Sequence, residues 1–207
     1  MIAPVLKTGV VVRLPRVRIL PPPPLINMKI EIPLQKANRI INSGQVILVS
    51  CAFEKQANII TLAWNMPLSH NPPLMAISLT RKRFSYDLIK KSGEFVVNIP
   101  PVELFDEMFY CGKHSGRDVD KFKETDLTAQ KANKLTAAPL IKECVGHLEC
   151  RLKDEKEAGD HVLLMGDIVY ASAEKALFDE RWKVDKVKLI YHLGDKFFTT
   201  SAQEIIA

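Results

Sequence analysis

Residues 111–122 read CGKHSGRDVDKF, and these twelve positions hold a thiol, an imidazole, two lysines, an arginine and two aspartates. Three chemistries use such groups: a metal centre, a covalent nucleophile and a cradle for an anion. For a metal, Cys144, His147 and Cys150 are the other evenly spaced donors, but alternation along a strand turns Cys144 and Cys150 one way and His147 the other. The chain has no C-x-x-C, so no metal ligands are assigned. For a nucleophile, GKHSG carries the glycines of a nucleophile elbow, yet Ser115 stands one position late for G-x-S-x-G and no strand directly precedes it. Cys111 with His114 lacks an evident orienting partner, so no catalytic residue is assigned and both read as bystanders. Asp154, Glu155, Glu157 and Asp160 alternate with Lys153 and Lys156 around a turn, the pattern of a solvated loop.

An anion site remains, and two distant segments agree on it. SLTRKRFSYDL runs from a strand end, Ser78–Thr80, through Arg81, Lys82 and Arg83 into a helix whose first turn contains Ser85. A helix N-terminus offers unpaired N–H groups and the positive end of a dipole, and hydroxyls and guanidinium groups beside it suit phosphate oxygens. The opening stretch adds Arg117 and Lys121 on a loop where Gly112 and Gly116 let the backbone approach a ligand. No two of the nine glycines form a G-x-G pair and no strand–helix–strand unit precedes one, which excludes a dinucleotide-binding fold.

The elements that must position these groups are mostly strands. LQKANRIIN has helical spacing and ends near Gly44. QVILVSCAF and NIITLAW flank the polar EKQA, a hairpin signature, and LMAISLT follows the turn signal HNPP. FSYDLIKKSG reads as a short helix closing on Gly93, EFVVNIP returns to strand, and PVELFDEMFY reads as a helix with Pro101 at its start. VGHLECRLKDEKEA and HVLLMGDIVYASAE form two long strands joined through Gly159-Asp160, and KLIYHL and KFFTT end the chain. Strands without regular helix alternation predict a mainly β fold, a closed or partly closed antiparallel barrel with short helical insertions.

Composition bounds the rest. A chain of 207 residues, 47% apolar and 26% charged, suits one globular domain. Of the net charge of +5, four units sit on Lys7, Arg13, Arg16 and Arg18 in a first segment that holds no acid. From Met28 onward the chain is nearly neutral, so it lacks a basic nucleic-acid face. Residues 1–27, with four consecutive prolines, read as an over-extended start or a disordered tail rather than a signal or transit peptide. No apolar run is long enough to cross a bilayer, and four scattered cysteines fit a reducing, cytoplasmic location.

NIITLAW, NPPLMAISLTRKRFSYDLIKKSGEFVVNIP, CGKHSGRDVDKF, APLIKECVGHLECRL and GDHVLLMGDIV together resemble the flavin reductase-like, FMN-binding split-barrel family, most closely its flavoredoxin branch. The similarity covers about residue 29 to the C-terminus, so the domain is assigned to residues 28–207. The resemblance implies a Greek-key split β-barrel and a homodimer with one FMN per subunit near the interface. Carried onto this chain, Asn58, Thr61, Leu62, Ala63 and Trp64 match the segment lining the flavin ring. Ser78, Thr80, Arg83 and Ser85 match the phosphate segment, Lys121 a lysine at the flavin, and His161 a histidine near the ring. One C-terminal aromatic belongs in the pocket, with Tyr191, Phe197 and Phe198 all candidates. The implied activity is oxidoreduction through bound FMN, with electrons from NADH, NADPH or a redox protein partner passing to flavin, ferric iron or another carrier. The alternative is a binding or scaffold protein that kept the barrel and lost the flavin.

Overall fold

The computed structural model describes residues 29–42 and 44–202, and the expected tail, residues 1–27, lies outside the described residues. The chain divides into two compact units, Met1–Pro33 and Leu34–Ala207. The described residues of the first, 29–33, carry no helix or strand, and the fold resides in the second.

That unit opens with a 3-10 helix, Leu34–Ile40, none of whose residues is buried. Its strands are β1 (Gly44–Gln45), β2 (Ile47–Phe53), β3 (Gln56–Leu62), β4 (Asn65–Ser69) and β5 (Leu74–Leu79), followed by helix α1 (Phe84–Ser92) and β6 (Glu94–Ile99). A 3-10 turn, Val102–Leu104, leads into α2 (Phe105–Lys113), and then come α3 (Lys121–Glu124), β7 (Ala129–Gln130) and β8 (Leu140–Ile141). Two long strands, β9 (Gly146–Ala158) and β10 (His161–Ala173), precede the hairpin of β11 (Ile190–Gly194) and β12 (Phe197–Thr200).

Seven strands form one antiparallel sheet in the order β3-β2-β6-β9-β10-β5-β4. Its two edge strands, β3 and β4, are successive stretches of one run of chain separated only by Ala63 and Trp64. The sheet therefore curls until its ends meet at that junction, where the Ser78 N–H donates to Trp64 O at 2.9 Å and extends the β4–β5 ladder by one pair. This closure makes the sheet a barrel without a full ladder along the seam.

Strand β2 is buried at every position but its last because both of its faces are covered. Ile47, Val49 and Cys51 face the barrel core with Ile77, Leu79, Phe95, Val97, Cys150 and Leu164, and α1 seals that core with Leu88 and Ile89. Leu48 faces the opposite way, into a second cluster with Ile59, Met108, Cys111, Ile141, Cys144 and Ile190. Helix α1 ends as the sequence predicts, with Gly93 in the left-handed region at φ 69° and its N–H on Ile89 O at 2.8 Å.

Four readings of the sequence change. Residues 34–40 form a 3-10 rather than an α-helix, and the apolar Leu34 and Ile40 of that segment stay exposed, so no packed face drives a regular helix. The strand β4 was hidden by Pro67, a residue that a sheet tolerates on an edge. Asp154, Glu155 and Glu157 lie within β9 rather than in a loop, where Glu155 meets Lys90 at 3.3 Å and Glu157 meets Arg81 at 2.8 Å. Cys144 precedes β9, so strand alternation does not reach it, and Cys144 and Cys150 enter different clusters.

Two buried carboxylates hold the irregular segment between β7 and β8. Glu149 accepts hydrogen bonds from the backbone N–H groups of Asn133 (2.8 Å), Lys134 (2.6 Å) and Leu135 (3.2 Å) and from Asn133 Nδ2 (2.9 Å). Glu94 accepts from the N–H groups of Thr136 and Ala137 at 3.0 and 2.7 Å. Burial opposes ionisation of Glu149, but the donors outweigh it and hold its pKa below the usual glutamate value. A carboxylate whose pKa folding lowers stabilises the fold above its unfolded pKa, and that contribution disappears as pH falls through the folded value. Glu149→Ala should lower unfolding free energy by about 3 kcal/mol at neutral pH by stranding these N–H groups. Chemical denaturation from pH 7 down to about pH 3 should show the gap between native and variant narrowing only below the ordinary carboxylate pKa. A variant as stable as the native protein at neutral pH would refute the role.

Candidate functional site

The barrel seam opens into a pocket of about 500 Å³, bounded by β3, the Ala63–Trp64 junction, the end of β5, the start of α1, α2 and the loop after it. All eleven residues assigned from the sequence line it: Asn58, Thr61, Leu62, Ala63, Trp64, Ser78, Thr80, Arg83, Ser85, Lys121 and His161. They reach it from five places in the chain. Asn58, Thr61 and Leu62 stand on β3, Ser78 near the end of β5, Arg83 and Ser85 at the start of α1, Lys121 at the start of α3 and His161 at the start of β10.

The floor is polar and buried. Asn58 Nδ2 donates to Ser85 Oγ at 2.8 Å, which leaves the Ser85 hydroxyl proton free to donate elsewhere. Asn58 Oδ1 is buried with no hydrogen-bond partner. A Cβ on Gly116 would overlap that oxygen, so the loop after α2 can cover Asn58 only with glycine there. Arg83 is the N-cap of α1 with extended backbone and no side-chain capping bond, so no side chain caps the helix's first turn.

Lys121 is 3% exposed, and its Nζ donates to Ile59 O at 2.6 Å and to Cys111 O at 2.7 Å. It thereby ties β3, the last turn of α2 and the start of α3 together. Burial pulls its pKa below the ordinary lysine value, with Cys111 and Cys51 opposing and Arg83 adding to the shift. No carboxylate among the described residues pairs with it, so the pocket floor carries uncompensated positive charge. Burial pushes the Cys51 thiol up to about 12 and the Cys111 thiol up to about 11, which keeps both protonated near neutrality.

The walls are aromatic. The Trp64 ring is tilted against His161, with centroids 4.9 Å apart, and its Nε1 donates to Asn42 Oδ1 at 2.8 Å. His161 Nδ1 is 2.7 Å from Asp160 Oδ1, which holds the Asp160 pKa below its usual value. Opposite, Phe109 and Phe198 meet edge to face with centroids 6.2 Å apart. Of the three candidate C-terminal aromatics, only Phe198 lines the pocket, while Tyr191 packs beside Val187 and Leu189 and Phe197 is exposed.

Sequence reasoning missed Phe109, His192 and Asp195, which also line the pocket. The turn between β11 and β12, with Gly194 and Asp195 at positive φ, was the signal available for the last two. Cys111 and His114 line the pocket as well, Cys111 as buried packing and His114 stacked 4.0 Å from Tyr110. Gly112 lies inside α2 rather than in a loop.

Residues 39–200 match the family model described as "Flavin reductase like domain". The chain is 34% identical over 186 residues to the protein YddH of Escherichia coli K12, spanning 86% of this chain and 97% of that one. Among solved structures, it is similar to a flavoredoxin from Methanosarcina acetivorans with a TM-score of 0.76 and 27% identity, over 87% of this chain and 95% of that chain. It is also similar to an FMN-binding protein from Thermus thermophilus with bound 1-cyclohex-2-enone, with a TM-score of 0.75 and 28% identity, over 87% and 98% of the two chains.

The Lys121 bonds make a direct stability prediction. Lys121→Met keeps the apolar stem but strands the carbonyls of Ile59 and Cys111, and should cost about 2 kcal/mol. Thermal unfolding of ligand-free protein should show a loss of several degrees, and an unchanged midpoint would remove the clamp from the structure's account.

Proposed function

The chain belongs to the flavin reductase-like domain family, and on that premise we propose that it is an FMN-binding oxidoreductase whose bound flavin passes electrons between a donor and an acceptor. One observation carries the reading: the unpaired Asn58 Oδ1, buried in a pocket whose neighbouring groups are donors and cations. A buried acceptor without a partner costs free energy unless a ligand supplies the donor. A phosphate dianion cannot do so, but a hydroxyl on a chain beside the phosphate can. The Ser85 hydroxyl, the start of α1 and Arg83 suit the phosphate itself. The aromatic lining residues Trp64 and Phe198 suit a ring, and the volume of about 500 Å³ suits a mononucleotide.

Bound FMN would supply hydride and single-electron chemistry that no side chain here provides. Asn58 and Ser85 would orient the ligand's polyol and phosphate, and residues 61–64 would hold the ring edge through main-chain groups. Lys121 and Arg83 raise the positive potential at the floor and so favour added negative charge on the ligand. Lys121 would act through that field and by fixing the floor, because two of its three N–H groups are spent on carbonyls. Trp64, Phe109 and Phe198 would shield a bound ring from water. A scaffold that had lost the flavin would have no use for an orphaned acceptor beneath a cationic pocket, which disfavours the non-enzymatic alternative.

A homodimer fits the exposed apolar side chains of β4, Met66 and Leu68, which a second copy would cover. Among the described residues no helix is long and apolar enough to cross a membrane. The four free cysteines support a cytoplasmic location.

After incubation with FMN and desalting, the purified protein should keep the visible bands of oxidised flavin, whereas riboflavin, which lacks the phosphate, should wash off. Ser85→Ala should weaken FMN binding by about tenfold in a fluorescence titration. Bleaching by NADH or NADPH would identify a reductase and its donor, and stable bands would direct the search to a protein donor. A colourless protein would overturn the reading in favour of the scaffold alternative.

A further inference from the structure

The loop between α2 and α3 is a compact turn anchored at both ends. Asp118 N and Val119 N both donate to Ser115 O, at 3.0 and 3.1 Å, and Arg117 N reaches Ser115 Oγ at 3.2 Å. Behind it, His114 N donates to Tyr110 O at 3.1 Å, and ahead of it Lys121 holds Cys111 O and Ile59 O. From the middle of this turn, Arg117 reaches the start of α1. Its Nη2 lies 2.6 Å from Asp87 Oδ2, its Nη1 donates to Lys82 O at 2.9 Å, and its guanidinium sits 5.2 Å from the centre of the Phe84 ring. Gly116 and Arg117 line the pocket on one side, and Lys82 and Phe84 line it on the other. Arg117 therefore joins two walls of the pocket at the end formed by the α1 N-terminus, above the buried Asn58–Ser85 pair.

We propose that Arg117 is a positioning residue that latches the α2–α3 loop across the phosphate end of the pocket and so sets how long the flavin stays bound. The inference rests on the FMN reading above. The polar members of the floor, Asn58, Ser85 and Lys121, are buried on regular elements, whereas the side chains of Arg117 and Asp87 are 45% and 42% exposed. The floor is built to be rigid and the latch is built to open. A single exposed ion pair is weak and screened by salt. One planar guanidinium that pairs with a carboxylate, bonds a carbonyl and stacks on a ring sums three modest contacts in one fixed geometry. Arg117 thus separates a tightly held prosthetic flavin from a flavin that exchanges as a substrate.

The test is release of FMN from loaded native protein, Arg117→Ala, Arg117→Lys and Asp87→Asn, followed by the rise of free-flavin fluorescence after dilution at low and high sodium chloride. Arg117→Ala should release FMN about tenfold faster and Asp87→Asn a few-fold faster. Arg117→Lys should restore part of the retention, through charge without the fork. Native release should quicken with salt more steeply than release from Arg117→Ala, whose remaining salt dependence is that of the phosphate's own contacts, a difference that a merely structural role would not produce. In ligand-free protein, hydrogen exchange of residues 114–120 should be faster in Arg117→Ala and Asp87→Asn than in the native chain. FMN uptake with the same release rate and salt dependence in Arg117→Ala overturns the latch alone. A native protein that takes up no FMN overturns the proposed function and the latch with it.

Discussion

The closure of the seven-stranded sheet at Ala63–Trp64 is the constraint on which the rest depends. Because β3 and β4 are one run of chain and lie at opposite edges of the sheet, the strands between them must curl into a barrel. At the seam the backbone is not committed to a full ladder, since β3 and β4 are the ends of the strand order and are not paired with each other. Closure thus leaves residues 61–64, the end of β3 and the junction after it, lining a cavity. The pocket follows from the topology, and the segments that line it are those the closure brings together.

A cavity with a polar floor is energetically demanding, because buried polar atoms must find partners or lose their hydration without return. The fold meets this with short backbone-directed bonds rather than ion pairs. Lys121 is neutralised by no carboxylate but is held by two carbonyls, and Glu149 and Glu94 are held by backbone N–H groups of one segment. These groups tie short or irregular elements, the four-residue α3 and the stretch between β7 and β8, to the sheet. Among the described residues Asn58 Oδ1, Gln45 Nε2 and Glu107 Oε2 are the exceptions, and Asn58 is the one that lines the pocket, where local consistency is given up for function. Stability and binding are therefore coupled at the floor: the bonds that fix Ser85 and Lys121 also define the charge and shape a ligand meets.

Legibility in the sequence differed by the range of the interaction involved. The β9–β10 hairpin, the end of α1 at Gly93 and the strand character of β2 rest on neighbours a few residues apart, and each could be read from alternation or turn chemistry. Strand β4 was missed because Pro67 signals against a strand unless its position on a sheet edge is known. The shared facing of Cys144 and Cys150 failed because the strand begins only at Gly146, and strand ends are set by tertiary pairing. Phe109, His192 and Asp195 escaped notice because nothing local marks a side chain as lining a cavity formed by distant elements.

By itself the sequence determined a mainly β chain with short helices, an anion-suited stretch from Ser78 to Ser85, and a family likeness that carries the pocket residues in order. These are properties of local pattern and composition, which survive in any fold the chain adopts. Only the tertiary structure decided that Phe198 rather than Tyr191 or Phe197 faces the pocket, that Lys121 is a buried clamp, and that Arg117 spans two walls. The reason is physical: these roles depend on distances between residues from 10 to more than 100 positions apart, and such distances are set by how the barrel closes and packs.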